Sequence, residues 1–252
     1  LDNYLSDKKK LFPRFYFLSN DTLLNMLSYG DYPNIINKNV KDCFDGIKFW
    51  AMKELDNKNF SNTVLGMLSA DNDEEVMFDE VFICTGLVES YLSKFEAKMR
   101  NTLKEILVKS RGCVEWHTNQ NKDLKKITGN KQRHFWLDAF PAQISLLVTN
   151  NIWTDEVEHA FDELEGGSDG AMKEYLEESR RRIKHLIDRV SKEVLTRDLR
   201  VKIITIITVD VHARDVVEYI VEKKIADQNN FHWRKQLRFK WGAEKKEMIA
   251  IV

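Results

Sequence analysis

A chain of 252 residues with 43% hydrophobic and 31% charged side chains can close a core without disulfide or metal staples, which excludes a disordered tail and a stapled miniprotein alike. Its 39 Lys and Arg against 40 Asp and Glu leave a net charge of −1, so there is no global field for nucleic acid or an anionic membrane. With only 3 prolines and 10 glycines, long helices are favoured over a turn-rich sandwich. Cys43, Cys84 and Cys113 are odd in number and form no CxxC pair, which points to thiols in a reducing compartment. No apolar run approaches the ~18 residues of a membrane span, and the first residues lack the pattern of a signal peptide. A start at Leu1 rather than Met reads as that of a fragment.

The stretch Phe12 to Leu18 crowds apolar residues around Pro13 and Arg14 and is read as an extended run docking into a core. Ser19 or Asn20 then caps a helix carrying Leu23, Leu24 and Leu27, with Gly30 just past its end. After Pro33, the spacing of Ile36, Val40, Phe44 and Ile47 predicts a second helix that ends near Trp50. Val64 to Leu68 and Val76 to Phe78 flank Asp71 to Glu74 and read as a small hairpin; a calcium loop would need a glycine and a glutamate that are not there.

Thr85 is expected to cap a long helix whose stripe runs through Val88, Tyr91, Leu92, Phe95, Met99, Leu103, Ile106 and Leu107 to Gly112. From Cys113 to Arg133 the pattern weakens into a polar, lysine-rich connection with room for a short helix. Asp138 with Pro141, and Thr154 with Asp155 and Glu156, are expected to open two further helices. Gly166, Gly167 and Gly170 break the chain before a stripe of Met172, Tyr175, Leu176, Ile183, Leu186, Ile187 and Val190. At Leu199 to Val209 the β-branched density and partial alternation favour a strand, whereas the position among helices favours a buried helix. Asp210 precedes a helical stripe of Val216, Val217, Ile220 and Val221, and Phe231 to Trp241 with Met248 to Val252 read as two strands.

Candidate chemistry is thin. Gly129 to Lys131 and the Gly166 to Gly170 turn lack the strand–loop–helix context of a phosphate-binding loop, so no ATP site is expected in this segment. Asp210 and His212 have the types needed for a metal or general-base site, but matching ligands elsewhere are missing. The favoured reading makes Asp210 a helix cap and gives Arg214 and Asp215 ion pairs. His117, His134 and His159 show no metal spacing. Arg180, Arg181, Arg182, Lys184 and His185, preceded by Glu174, Glu177 and Glu178, read as a solvated, ion-paired helix face rather than an RNA contact.

Five ordered motifs carry a resemblance: FPRFYFLSND at Phe12 to Asp21, PAQ at Pro141 to Gln143, IWT at Ile152 to Thr154, ITVDVHARDVV at Ile207 to Val217, and FHWRKQLRFKW at Phe231 to Trp241. Together they resemble the C-terminal part of the linker of a dynein heavy chain, across essentially the whole chain. LEGG at Leu164 to Gly167 with AMKEY at Ala171 to Tyr175 leans toward the axonemal class. Thr22, Asn25 and the turn Asp71 to Glu74 depart from the family's pattern at positions read as exposed.

The resemblance implies a mainly helical fold, an elongated stack of antiparallel helices with a small hairpin and C-terminal strands, and turns Leu199 to Val209 into a helix. It divides the chain into an aromatic segment with helices (1–60), the hairpin (61–80), a helical bundle (81–230) and strands leading to the first AAA+ module (231–252). The implied role is a lever that couples ATP hydrolysis in an AAA+ ring to minus-end-directed movement along microtubules, with no catalytic site, cofactor or metal in this segment. ATP and Mg belong to the ring. The implied partners are that ring, microtubules reached through other parts of the chain, and dynein intermediate and light chains, with neither nucleic acid nor membrane. The implied setting is the cytoplasm and cytoskeleton, in the axoneme of a cilium or flagellum. Residues expected to hold the lever together or dock it on the ring are Phe12, Arg14, Phe15, Asp210, His212, Arg214, Asp215, Trp233, Leu237, Arg238 and Trp241. A helical protein-binding scaffold and a metal hydrolase using Asp210 and His212 are the alternatives.

Overall fold

The computed structural model describes residues 1–54, 60–69, 74–113 and 133–252, which form two compact units, Leu1–Leu103 and Lys104–Val252. Most of the described chain is helical, with two small antiparallel sheets, as the resemblance implies.

The first unit begins with α1 (Asp2–Leu11), which buries Leu5 and whose Lys8 pairs with Glu89. Residues Pro13–Phe17 form a 3-10 turn, not the extended run expected. Pro13 fixes the first φ of the turn, and a 3-10 turn eclipses every third side chain. Phe12, Phe15 and Leu18 therefore share one buried face, while Tyr16 and Phe17 are 60% and 74% exposed. Ser19 caps α2 (Asn20–Ser28), its Oγ accepting from the Thr22 N–H at 3.1 Å.

The helix expected after Pro33 is instead α3 (Pro33–Asn37), α4 (Val40–Cys43) and the first strand, β1 (Ile47–Glu54). Ile36, Val40, Phe44, Ile47 and Trp50 are all buried, so the apolar spacing found the core but not the elements that reach it. The expected hairpin is β2 (Phe60–Ser69) with β3 (Glu75–Ile83), and β1 adds to β2 to make a three-stranded sheet. The residues 71–73 of its turn lie outside those described.

Helix α5 (Val88–Gly112) opens three residues after Thr85, behind Gly86 at φ +83°, rather than on a Thr85 cap. Its Phe95 is the hub of the first core, with ring centroids of Trp50, Phe44, Phe82 and Phe78 at 5.0, 5.5, 5.8 and 6.0 Å. Burial pushes the thiols of Cys43 and Cys84 up to about 12, so both pack as neutral, apolar groups.

In the second unit a helical stretch at 133–139 precedes α6 (Ala142–Glu165), α7 (Ala171–Lys192) and α8 (Arg197–Glu222). A short helix, α9 (Phe231–Arg234), leads to the two-stranded sheet of β4 (Arg238–Gly242) and β5 (Glu247–Ile251). The expected strand from Phe231 thus starts with a helical turn, which Asn230 caps by accepting from the His232 N–H at 2.9 Å.

Three expected helix caps are not caps, although a helix does open at Pro141 as expected. Asp138 lies inside the 133–139 stretch and accepts from Arg189 at 2.7 Å, and Pro141 itself stands at the N-cap of α6. Thr154 and Asp210 are interior to α6 and α8. Each is committed elsewhere: the Thr154 hydroxyl donates to the Asn150 carbonyl at 3.0 Å, and Asp210 accepts from Arg133 at 2.8 Å. The β-branched run Leu199 to Val209 is helical because Ile203 and Ile206, spaced by about a turn, are fully buried and override its strand propensity. Thr205 and Thr208 donate back to Val201 and Ile204 carbonyls at 2.9 and 3.0 Å.

Candidate functional site

The C-terminal hairpin lies against α6, and the attachment is made largely of side chains on one stripe of that helix. Thr154 Oγ1 accepts from the Phe239 N–H at 3.2 Å, and Asn151 Nδ2 donates to the Phe239 carbonyl at 3.0 Å. Both residues are fully buried. One turn further along, Glu158 takes Lys240 at 2.7 Å and Arg238 at 3.4 Å. The helix thereby fills the hydrogen-bonding side of β4 that β5 leaves open.

Above this clamp sits an aromatic lock. Trp233 is fully buried, its ring centroid 5.0 Å from Trp153 edge-on and 6.0 Å from Phe161, and the Arg238 guanidinium lies 5.6 Å from the Trp233 ring centre. Leu237 is 54% exposed and Trp241 is half-buried. Of the four tail residues singled out in the sequence, Trp233 and Arg238 share one site, while Leu237 remains open to solvent.

A second polar cluster fills the space between α6, α7 and α8. Glu156 accepts from Arg182 at 2.6 and 2.8 Å, and Arg133 pairs with Asp210; these residues line a cavity of about 30 Å³ with Thr149, Trp153 and Tyr175. Burial works against the Arg182 cation, but Glu156 outweighs it and holds the pKa above its ordinary value. Burial beside Glu156 likewise raises the Tyr175 phenol. Arg180 and Arg181 do pair with Glu177 and Glu178 on an exposed face, as expected, but Arg182 turns inward and that part of the solvated-face reading fails.

The other singled-out residues separate. Asp210 faces the cluster, whereas His212 is exposed and Arg214 pairs with its neighbour Asp215 at 2.9 Å. Residues two apart on a helix point to different sides, so Asp210 and His212 do not converge on one ligand. Among the described residues no group of three or more His, Cys, Asp and Glu has the arrangement of a metal site, and no helix is long and apolar enough to cross a membrane. His117 and Gly129 to Lys131 lie outside the described residues. In the first unit Phe12 and Phe15 are core, and Arg14 reaches Glu96 at 3.3 and 3.4 Å and the Cys43 carbonyl at 3.2 Å.

Sequence reasoning missed Asn151, Glu158 and the strand-holding role of Thr154. The signal was a run of hydrogen-bonding side chains, Asn150, Asn151 and Thr154, within an apolar helix pattern, of which only Thr154 was singled out, as a helix cap.

The second unit is thus a helical module whose terminal hairpin is held to α6 by ion pairs and buried hydrogen bonds. The family profile "Dynein heavy chain, N-terminal region 2" matches residues 1–110. The chain is 36% identical over all 252 residues to "Dynein beta chain, ciliary" of Tripneustes gratilla and 35% identical over the same span to "Dynein axonemal heavy chain 9" of Homo sapiens. It is 32% identical over 239 residues, 95% of its length, to "Dynein beta chain, flagellar outer arm" of Chlamydomonas reinhardtii. In each case it spans 5% of the relative. The chain belongs to the dynein heavy chain family. Within that family it corresponds to a stretch of the N-terminal region, of the axonemal type.

Proposed function

We propose that this chain is the C-terminal part of the linker of an axonemal dynein heavy chain, a lever segment that carries force and performs no chemistry of its own. The observation that carries this reading is the match of all 252 residues to a stretch of axonemal heavy chains; the clamped terminal hairpin supports it. A lever needs elements that keep their relation under load, and close-packed interiors resist deformation. In this reading ATP and Mg act in an AAA+ ring further along the same chain, and the ring and the linker work against each other to drive minus-end-directed movement on microtubules. The assembly would include dynein intermediate and light chains and sit in the axoneme of a cilium or flagellum.

Trp233 is the test residue. In an intact heavy chain, Trp233→Ala is expected to keep ATP turnover while microtubule gliding velocity falls to less than half. Unchanged velocity at unchanged turnover counts against the lever.

A further inference from the structure

Asn151 is held from several directions at once. Its Oδ1 accepts from Arg111 Nε at 2.9 Å, and its Nδ2 donates to the Phe239 carbonyl at 3.0 Å and to Asp155 Oδ1 at 3.4 Å. Turning the amide over would exchange donor and acceptor and break every one of these bonds, so a single orientation is permitted. Arg111 belongs to the last turn of α5 and also reaches Asp155 at 3.4 Å. The buried amide therefore touches a backbone carbonyl of β4 on one side and the end of α5 on the other.

Thr154 holds the N–H of the same Phe239, one turn along α6. With both its polar groups fixed by side chains on one helix, Phe239 cannot slip by a residue without losing both bonds, since a one-residue slip reverses the direction of every strand group. Glu158 adds a charged grip on the two neighbours.

We infer that Asn151 is a coupling residue: it ties the C-terminal hairpin to the last turn of α5, so that load arriving at residues 238–242 passes sideways into α5 and α6. This rests on the lever reading and names the residue through which that lever is loaded. Asn151 is a positioning residue, and its loss should appear as distance moved per ATP consumed, not as a change in the rate of ATP turnover.

The experiment compares intact heavy chains carrying Asn151→Asp, Thr154→Val, Trp233→Ala or the exposed control Thr208→Val. Asn151→Asp keeps the shape and the bond to Arg111 but cannot donate to Phe239; Thr154→Val removes the other strand bond without changing shape and serves alone should Asn151→Asp fail to fold. Hydrogen exchange of the peptide covering 238–242 is read together with ATPase rate and gliding velocity. The expected result is at least tenfold faster exchange at Phe239 and at least a halving of velocity per ATP hydrolysed, with Thr208→Val unchanged. Unchanged exchange in both clamp variants overturns the inference. So does faster exchange with normal velocity while Trp233→Ala still uncouples, in which case the lever stands and Asn151 is only a local fastening. Normal velocity in all the variants removes the lever reading as well.

Discussion

Arg14 is the one charge among the aromatic residues from Phe12 to Leu18, and the fold surrounds it with acceptors instead of excluding it. Its guanidinium lies 4.8 Å from the Phe44 ring centre while bonding Glu96 and the Cys43 carbonyl. The Arg14 hydrogen bond holds the Glu96 carboxyl below its ordinary value of 4.5 against the opposing effect of burial. A depressed carboxylate stabilises the fold fully above its unfolded pKa, and that contribution is lost as the pH falls through the lower folded pKa. Arg14→Met is thus expected to cost about 1–2 kcal/mol near neutral pH, with partial exposure keeping the figure small, and to flatten the loss of stability below pH 4.5. Urea unfolding across an acid titration measures both. Asp210 makes a sharper case. As a helix cap its replacement by Ala would cost about 1 kcal/mol, whereas as the partner of buried Arg133 it should cost about 3–5 kcal/mol. The unfolding midpoint of Asp210→Ala decides between them. Gly66 belongs to the same scale, since an added Cβ would lie 2.5 Å from the Val76 carbonyl oxygen and 2.8 Å from Met77 Cα, both backbone atoms. Gly66→Ala is expected to lower stability by about 1–3 kcal/mol in thermal unfolding.

At the scale of elements, the two sheets share one device. Asn37 accepts from the Trp50 N–H at 2.6 Å and donates to the Trp50 carbonyl at 3.1 Å, closing the outer side of β1 much as Asn151 and Thr154 close that of β4. Edge strands left open invite pairing with other chains, and here side chains of helical segments satisfy them. Asn37→Leu should cost about 1–3 kcal/mol by leaving two strand groups without a partner, seen as faster exchange at Trp50. Two of the long helices, α5 and α7, were legible because their apolar stripes repeat over many turns, although Ile187 of the α7 stripe is 47% exposed. The caps expected for α5 and for the helices after it were not, apart from the break before α7. Thr85, Asp138, Thr154 and Asp210 all have the chemistry of a cap, and sequence alone does not say whether such a side chain will turn to its own backbone or to a distant partner. For Asp138, Thr154 and Asp210 the partner was distant, on Arg189, Phe239 and Arg133.

For the whole molecule, each unit has its own core, one around Phe95 and the other around Trp233. Phe95→Ala and Trp233→Ala are each expected to cost about 3–5 kcal/mol in the core they vacate. Calorimetry should show each change lowering a different part of the unfolding profile; an identical shift of one single transition would mean that the two cores melt as one. The lever reading makes a further demand at this scale, that a mild cut in the hairpin clamp alters movement more than stability.

The sequence by itself determined the mainly helical class, the apolar positions of both cores, the hairpin and the family, because burial needs only the right residue types at the right period. It also drew attention to Trp233 and Arg238 through the motif FHWRKQLRFKW that carries the resemblance. Only the tertiary structure decided that Phe12 to Leu18 is a 3-10 turn, that Ile47 to Glu54 is a strand, and that Arg182 turns inward. The same holds for Asn151, whose bonds run to Arg111 and Phe239, distant in sequence. A polar side chain has several possible partners of similar strength, and which one it takes is set by what the rest of the chain brings within about 3 Å of it.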